Sequence, residues 1–426
     1  MDNRSAATAA DRFFRHEAGR MLARLTRLLG PRHFDLAEDA VQDAMCAALE
    51  TWKFHGIPRA PEAWLMRAAQ NRAIDLVRAN RRSQNLLKKL ALDPTAGRAA
   101  EPSTADLQST APHDDCLMLM FSCCNPRLAT NAQLALILKA LCGFSLDEIA
   151  AAFFVIPSAI EKRITRAKAC LKRSGSLFNL GNPRQVVARL GTVHQALYLL
   201  FNEGYHSLRA DAPVRDELCG EAIRLAQLLT ADLATRVPAT DALLAMMYFN
   251  LARLAGRVDE EGVFLALPQQ DRTRWDQQLI ALGFRYLDAS ATGGQLHRFH
   301  LEAAIAAEHC RAPSLAETDW RRILELYDLL DATAPSPIVG LNRAIARGQV
   351  DGPAAGLGAL AKLADAPLAR TYPFFYAAVA EFSLALGEHQ AAIDAFEHAH
   401  AVARSPAERC FYDRKLRQIS RRLTSA

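Results

Sequence analysis

Residues 145–173 read SLDEIAAAFFVIPSAIEKRITRAKACLKR. Ser145-Leu146-Asp147-Glu148 has the form of a capping box, in which the hydroxyl accepts from an N–H of the first turn and the Glu carboxylate reaches back to the cap's own N–H. Ser158-Ala159-Ile160-Glu161 repeats the pattern directly after Pro157. Two helices are therefore predicted to begin thirteen residues apart, the first about two turns long (Leu146 to roughly Phe153) and the second reaching about Lys172. That is the spacing of a helix-turn-helix. On the second helix Ile160, Ile164, Ala167 and Leu171 recur at helical intervals and form the stripe to be buried. This turns Glu161, Lys162, Arg163, Arg166, Lys168 and Lys172 outward. A helix in the major groove offers its N-terminal residues to base edges and its later Lys and Arg to phosphates. A basic amphipathic helix can also be a plain solvated surface; two capping boxes at this spacing favour DNA.

Working outward, the whole chain is helical in character. Ala, Leu and Arg dominate, aromatics are 7% of 426 residues, and runs such as Ala377 to His400 lack β-branched clusters, so the fold class expected is all-α. At this length two to four domains are expected, since single cores stop growing near roughly 250 residues. Apolar residues make up 50% and charged residues 23%, a globular balance. The net charge of +5 is small for the length, so a nucleic-acid role has to rest on local clusters. Nine cysteines without a CxxC pair fit reduced thiols in a cytoplasmic protein. The polar start from Met1 to Asp11 and the lack of any long uncharged apolar run lead us to expect neither a signal peptide nor a membrane span.

Composition divides the chain. A helical, Arg-rich block occupies about 10–90, and 91–113, which gathers Pro94, Gly97, Pro102, Ser103, Ser109 and Pro112, reads as a flexible linker. A second block, 114–175, contains the helix-turn-helix, and Ser174 to Pro183 reads as a hinge. From 184 to 426 a succession of amphipathic helices is broken at Pro213, Pro238, Pro268, Gly293-Gly294, Pro313, Pro335-Pro337 and Pro373, as stacked helical pairs would be. Within 335–407, Ala380, Gly387, Ala392, Phe396 and Ala399 have the spacing of a tetratricopeptide repeat, and Leu341 to Leu363, with Gly348 answering Gly387, reads as a degraded copy.

The first block holds Asp35-Leu36-Ala37-Glu38, a third capping-box pattern. The helix it opens should turn Leu36, Ala40, Val41, Met45, Ala48, Leu49 and Trp52 inward and Glu38, Asp39, Gln42, Asp43 and Glu50 outward. A second helix starts at Pro61 and carries Arg67, Arg72, Arg78, Arg81 and Arg82 along a basic edge suited to phosphates.

Taken together, DLAEDAVQDAMCAALETW (35–52), PEAWLMRAAQNRAIDLVRANRR (61–82) and SLDEIAAAFFVIPSAIEKRITRAKACLKR (145–173) resemble regions 2 and 4 of sigma-70-family extracytoplasmic-function sigma factors, over about residues 10–175. The resemblance implies that Asp39, Gln42 and Asp43 meet the clamp of core RNA polymerase. It implies that Asn71, Arg72, Asp75 and Arg78 handle the −10 promoter element and that the loop Lys53 to Ala60 takes up a flipped base. Ser158, Glu161, Lys162, Arg163, Arg166 and Lys168 would read the −35 element, where Glu161 stands in place of the commoner Lys or polar residue. Trp64 could wedge the duplex, but a lone Trp on an apolar face is more often core. The segment Leu197-Tyr198-Leu199-Leu200-Phe201-Asn202-Glu203-Gly204-Tyr205 and the helical repeats resemble a subgroup whose long C-terminal extension replaces the usual anti-sigma switch. By its own chemistry this segment is a helix end at Gly204 with Tyr205 half-buried.

The partners implied are core RNA polymerase, promoter DNA and a protein partner for the repeats; no cofactor, metal or catalytic residue is expected. His297, His300, His309 and Cys310 are metal-ligating types, but one helix cannot gather them all, and Cys123-Cys124 read as packing residues. A stand-alone regulator with a helix-turn-helix is the alternative; it would have no need of the acidic helix 35–52. An enzyme within 184–426 is disfavoured, for that region has no Gly-rich phosphate loop, HExxH, GxSxG or CxxC.

Overall fold

The computed structural model describes residues 3–90, 114–153, 155–174, 183–205, 215–257, 259, 265–366, 371–403 and 405–425. The expected linker 91–113 lies outside them, as do Pro213 and all of the 174–183 hinge except its two end residues. The described residues hold helices and turns and no strand, as an all-α chain should. The chain forms two compact units, 1–200 and 201–426.

In the first unit, α1 (Asn3–Leu29), α2 (Phe34–His55) and α3 (Pro61–Leu90) pack as one bundle. Met21, Leu25, Phe34, Ala37, Val41, Ala48, Leu65 and Ala69 are its buried stripe, each near the helical period of its own helix. The helix α2 starts one residue before the capping-box pattern. A single 3-10 turn at Pro31–His33 runs straight into it, His33 is the N-cap, and no side chain caps it, so Asp35 falls in the first turn. A second bundle joins α4 (Asp115–Cys123), α5 (Thr130–Ala140), α6 (Leu146–Ala152) and α7 (Pro157–Arg173) around Phe121, Leu134, Ile137, Phe144, Ile149 and Ile160. Cys123 and Cys124 are buried there as packing residues; burial pushes the Cys124 thiol up to about 12. The two bundles touch. Arg27 on α1 pairs with Asp115 on α4 at 2.6 Å, and a Cβ on Gly19 of α1 would lie 2.1 Å from the Leu141 carbonyl oxygen.

The helix α8 (Pro183–Tyr205) continues through Gly204, where a helix end was expected. In the second unit follow α9 (Asp216–Ala231), α10 (Pro238–Ala252), α11 (Gln277–Ser290), α12 (Arg298–Arg311), α13 (Trp320–Thr333), α14 (Pro337–Asp351), α15 (Pro353–Ala361), α16 (Pro373–Ala385), α17 (His389–Ala401) and α18 (Pro406–Ser425). Successive helices pack on one another through α18. Pro238, Pro337, Pro353, Pro373 and Pro406 open helices, where the missing N–H costs nothing and φ is already set. The repeat spacing is realised in α16 and α17, with Ala380, Ala392, Phe396 and Ala399 fully buried and Gly387 turning the chain at φ 79°. The upstream copy is in a different register from that expected. Gly352, at φ 94°, makes the turn between α14 and α15, whereas Gly348 lies inside α14, where the Phe382 ring fills the space of its missing side chain.

Candidate nucleic-acid interface

The box at Ser145 forms as the sequence predicts: Ser145 Oγ accepts from Glu148 N at 3.1 Å and the Glu148 carboxylate accepts from Ser145 N at 2.6 Å. The one at Ser158 does not form. Pro157 is the first residue of α7, Ile156 is its N-cap, and no side chain caps it, because a proline at N1 starts the helix before Ser158 can act. Ile160, Ile164, Ala167 and Leu171 are buried as expected, joined by Cys170. Ser158, Glu161, Lys162 and Arg166 are exposed on the N-terminal half. Arg163 is half-buried, with one terminal nitrogen shielded and without a hydrogen-bond partner.

The expectation that Lys168 and Lys172 face solvent is corrected. The Lys168 ammonium lies 2.5 Å from a Glu38 carboxylate oxygen on α2 and 5.7 Å from the centre of the Phe34 ring. Lys172 pairs with Asp35. Glu38, expected outward, is thus half-buried under α7, and burial lifts its carboxyl above the ordinary value even against the lowering effect of Lys168.

On α2, Asp39, Gln42 and Asp43 are exposed, and Cys46 and Glu50 share their exposure. Leu49, expected to turn inward, is 57% exposed and belongs to this face instead. On α3, Asn71, Arg72, Asp75 and Arg78 are exposed. Arg72 Nε lies 2.6 Å from an Asp43 carboxylate oxygen, so these two residues, assigned by sequence to different partners, meet each other first. The side chains of Arg81 and Arg82 lie outside the described set. The expected loop 53–60 is shorter, because Lys53 to His55 form the last turn of α2; Phe54 in that turn is 77% exposed and Ile57 in the connection to α3 is 71% exposed, two large apolar side chains turned to solvent. Trp64 stands edge-on to Trp52 at 5.6 Å, and Trp52 stacks on Phe14 at 5.5 Å. It therefore serves packing.

Sequence reasoning missed three features. Asp35 and Glu38 bind α7 across 137 and 130 residues of chain, which no local pattern announces. Arg127 and Arg173 join Arg166, Asn125, Leu128, Cys170 and Ser174 around a cleft of about 380 Å³. Arg127 sits in the turn 125–128 of the α4–α5 connection, which only the fold brings beside α7. Glu203 is buried, and so is Tyr205, which was expected half-buried: Glu203 lies 3.9 Å from the buried Arg215, and the Arg257 guanidinium covers the Tyr205 ring at 3.8 Å while donating to its carbonyl. A Cβ on Gly204 would fall 2.7 Å from Cys219 Sγ, so this segment is a tightly packed node.

The metal-ligating types are otherwise employed. His297 and His300 cap the start of α12, and His309 is buried edge-on to Trp320. Among the described residues no group of three or more such side chains could hold an ion, and no helix is long and apolar enough to cross a membrane.

Comparison with known proteins bears on the first bundle and on the start of the C-terminal helices. Residues 13–83 match the family described as sigma-70 region 2, and residues 189–291 match a family of unknown function, DUF6596. An uncharacterized protein of Rhizobium meliloti (strain 1021), R00370, is 35% identical over 391 residues, 91% of each chain. No solved structure matches the chain. The sigma-70 match covers the bundle on which the exposed acidic face of α2 and the basic edge of α3 were found. The chain belongs to the sigma-70 family, as a sigma factor of transcription initiation with a long helical C-terminal extension.

Proposed function

We propose that this chain is a sigma factor of the extracytoplasmic-function type, which carries core RNA polymerase to −10 and −35 promoter elements and opens the DNA there. Asp39, Gln42 and Asp43 dock on the polymerase clamp. Asn71, Arg72, Asp75 and Arg78 engage the −10 element, with Phe54 and Ile57 at the α2–α3 connection offering apolar surface to an unstacked base. Ser158, Glu161, Lys162, Arg163, Arg166 and Lys168 face the −35 duplex, the first residues toward base edges and Arg166 and Lys168 toward phosphates. Nucleotidyl transfer belongs to the polymerase, so the chain needs no catalytic residue. The C-terminal helical pairs hold a protein partner and act positively, and the chain works in the cytoplasm with the polymerase.

The observation that carries this reading is the sigma-70 region 2 match lying on a bundle whose α2 leaves Asp39, Gln42 and Asp43 exposed in a row. A regulator acting alone on duplex DNA has no use for such a face. Gel filtration of the chain with core polymerase tests it. The native chain co-elutes with core, and Asp39→Lys combined with Asp43→Lys abolishes co-elution with only a small drop in melting temperature, since Asp39 is exposed and the Asp43–Arg72 pair is a surface one worth at most about 1 kcal/mol. Unaltered co-elution of a folded double variant would reject the docking face.

A further inference from the structure

The second half of α7 faces the α4–α5 connection across the cleft of about 380 Å³, walled by Arg127, Arg166 and Arg173 beside Leu128 and Cys170. Three exposed guanidiniums thus share one concavity, and none of them meets a carboxylate among the described residues. Arg173 Nε donates to the Ala169 carbonyl of its own helix at 3.1 Å, and the Arg127 and Arg166 side chains have no partner among the described residues. The wall opposite α7 is fixed in place. The buried Gln133 donates from Nε2 to the Asn125 and Leu128 carbonyls at 2.8 Å each, and the Asn125 side chain accepts from Arg127 N at 3.0 Å. We propose that this cleft binds a small molecule carrying a diphosphate on Arg127, Arg166 and Arg173. Resting on the reading of α7 as the −35 helix, the bound anion takes Arg166 from the DNA backbone and weakens duplex binding.

Cations gathered in a concavity repel one another and concentrate positive potential there, which an anion relieves. Arg173 alone has an ordinary explanation, since a cation in the last turn of α7 complements the helix dipole. The other two do not. Arg166 lies in the middle of α7, and Arg127 shortly precedes α5, whose N-terminal end is positive and has no side-chain cap. Guanidinium groups offer paired N–H donors that match phosphate oxygens. Two linked phosphates carry about three negative charges at neutral pH, enough to balance three guanidiniums. The cleft is of the size that small molecules occupy, and Leu128 and Cys170 leave apolar surface for the rest of the ligand. Geometry separates this site from the duplex. A helix that enters the major groove by its N-terminal end carries Arg173 about 20 Å from Ser158 along its axis, against a groove roughly 8.5 Å deep. Arg173 and the turn beside it are therefore left for another ligand, while Arg166, nearer the middle, can serve one anion or the other.

Titration calorimetry of sodium pyrophosphate into the full chain, with ionic strength held constant by sodium chloride, reads the site directly. Binding should be saturable and one to one. Arg127→Gln combined with Arg173→Gln should weaken it at least tenfold with a near-native melting temperature, because both positions are exposed. Lys139→Gln, which removes an exposed cation of the same bundle outside the cleft, should bind as the native chain does. Saturating pyrophosphate should also weaken binding of a fluorescent random-sequence duplex by about three- to tenfold in the native chain, as loss of a phosphate contact does, and have no such effect in the double variant. Absence of saturable binding, or equal binding by the double variant, would overturn the proposal, and so would a bound pyrophosphate that leaves duplex affinity unchanged. If the double variant instead lowers the salt slope of duplex binding by about two and the native chain ignores pyrophosphate, the arginines belong to the DNA backbone. A native chain that titrates with pyrophosphate and binds no duplex would reject α7 as a DNA helix, and the competition with it, while the site itself stands.

Discussion

Residues of one type on one helix face separate into different tasks once their surroundings are known. Arg163 and Lys168 are both cations of α7, yet Arg163 lies half-buried in the helix's first half and Lys168 lies against α2. Arg163→Ala should cost about 1–3 kcal/mol of promoter binding and relax preference at one or two base positions, whereas Lys168→Ala should weaken all sequences alike and lower the salt slope by about one. Binding isotherms on a panel of single-base promoter variants, repeated across salt, distinguish the two; the same uniform loss from both would remove Arg163 from the base edge. A buried histidine contributes to the acid response of the C-terminal unit. His309 is buried beside Trp320, and burial, with Arg253 and Arg272 nearby, lowers its pKa to about 3. The folded chain thus keeps it neutral, while the unfolded chain takes up a proton below about pH 6.5. More protons on the unfolded side mean that stability falls as pH drops through this window, by about 2 kcal/mol between pH 6.5 and 5. Urea unfolding at those two pH values should show this loss in the native chain and a flatter profile in His309→Phe.

At the scale of the element, local signals were legible and distant ones were not. The capping box at Ser145 and the buried stripe of α7 depend only on neighbours in sequence, and both formed as the pattern requires. Ser158 and Asp35 carry the same pattern, but Pro157 and the turn at Pro31–His33 start their helices earlier, which frees Asp35 to pair with Lys172. Leu49 fits an apolar arc by spacing, yet among the described residues no helix covers it, because burial depends on a neighbour that periodicity cannot supply. The α2 and α3 residues proposed to meet polymerase and promoter were picked out by their motifs and are exposed, whereas the ion pairs that tie α7 to α2 cross 130 and 137 residues and leave no trace in either segment. The repeat register failed for a related reason. Gly348 resembles a turn glycine, but it is a notch for the Phe382 ring, whose Cζ would stand 2.2 Å from an added Cβ. Gly348→Ala should therefore destabilise the C-terminal unit by about 1–3 kcal/mol, as overpacked cores do. Gly352→Ala acts differently, straining a backbone at φ 94° with no atom in its way. Combining Gly348→Ala with Phe382→Leu should recover part of the loss in thermal unfolding only if the ring contact is its cause.

For the whole molecule, the extension is as large as the unit that carries the sigma face, and its helices pack in series. A series of this kind depends on its terminal members, whose loss exposes apolar surface on the helix before them. Ending the chain at Tyr372 removes α16 to α18, strips Phe382 from its notch between Gly348 and Gly356, and uncovers Leu341 and Leu360. Reporter output at matched abundance should fall with this truncation; a rise would make the extension a fused inhibitor. The central claim, that the chain confers promoter-dependent initiation on core polymerase, is tested most directly by run-off transcription. Core enzyme and the full chain are incubated with a library of linear promoter fragments. Discrete transcripts should arise that core alone does not make and that disappear with Asp39→Lys and Asp43→Lys together, while retention of duplex DNA by the chain with no transcript above core alone would contradict the account.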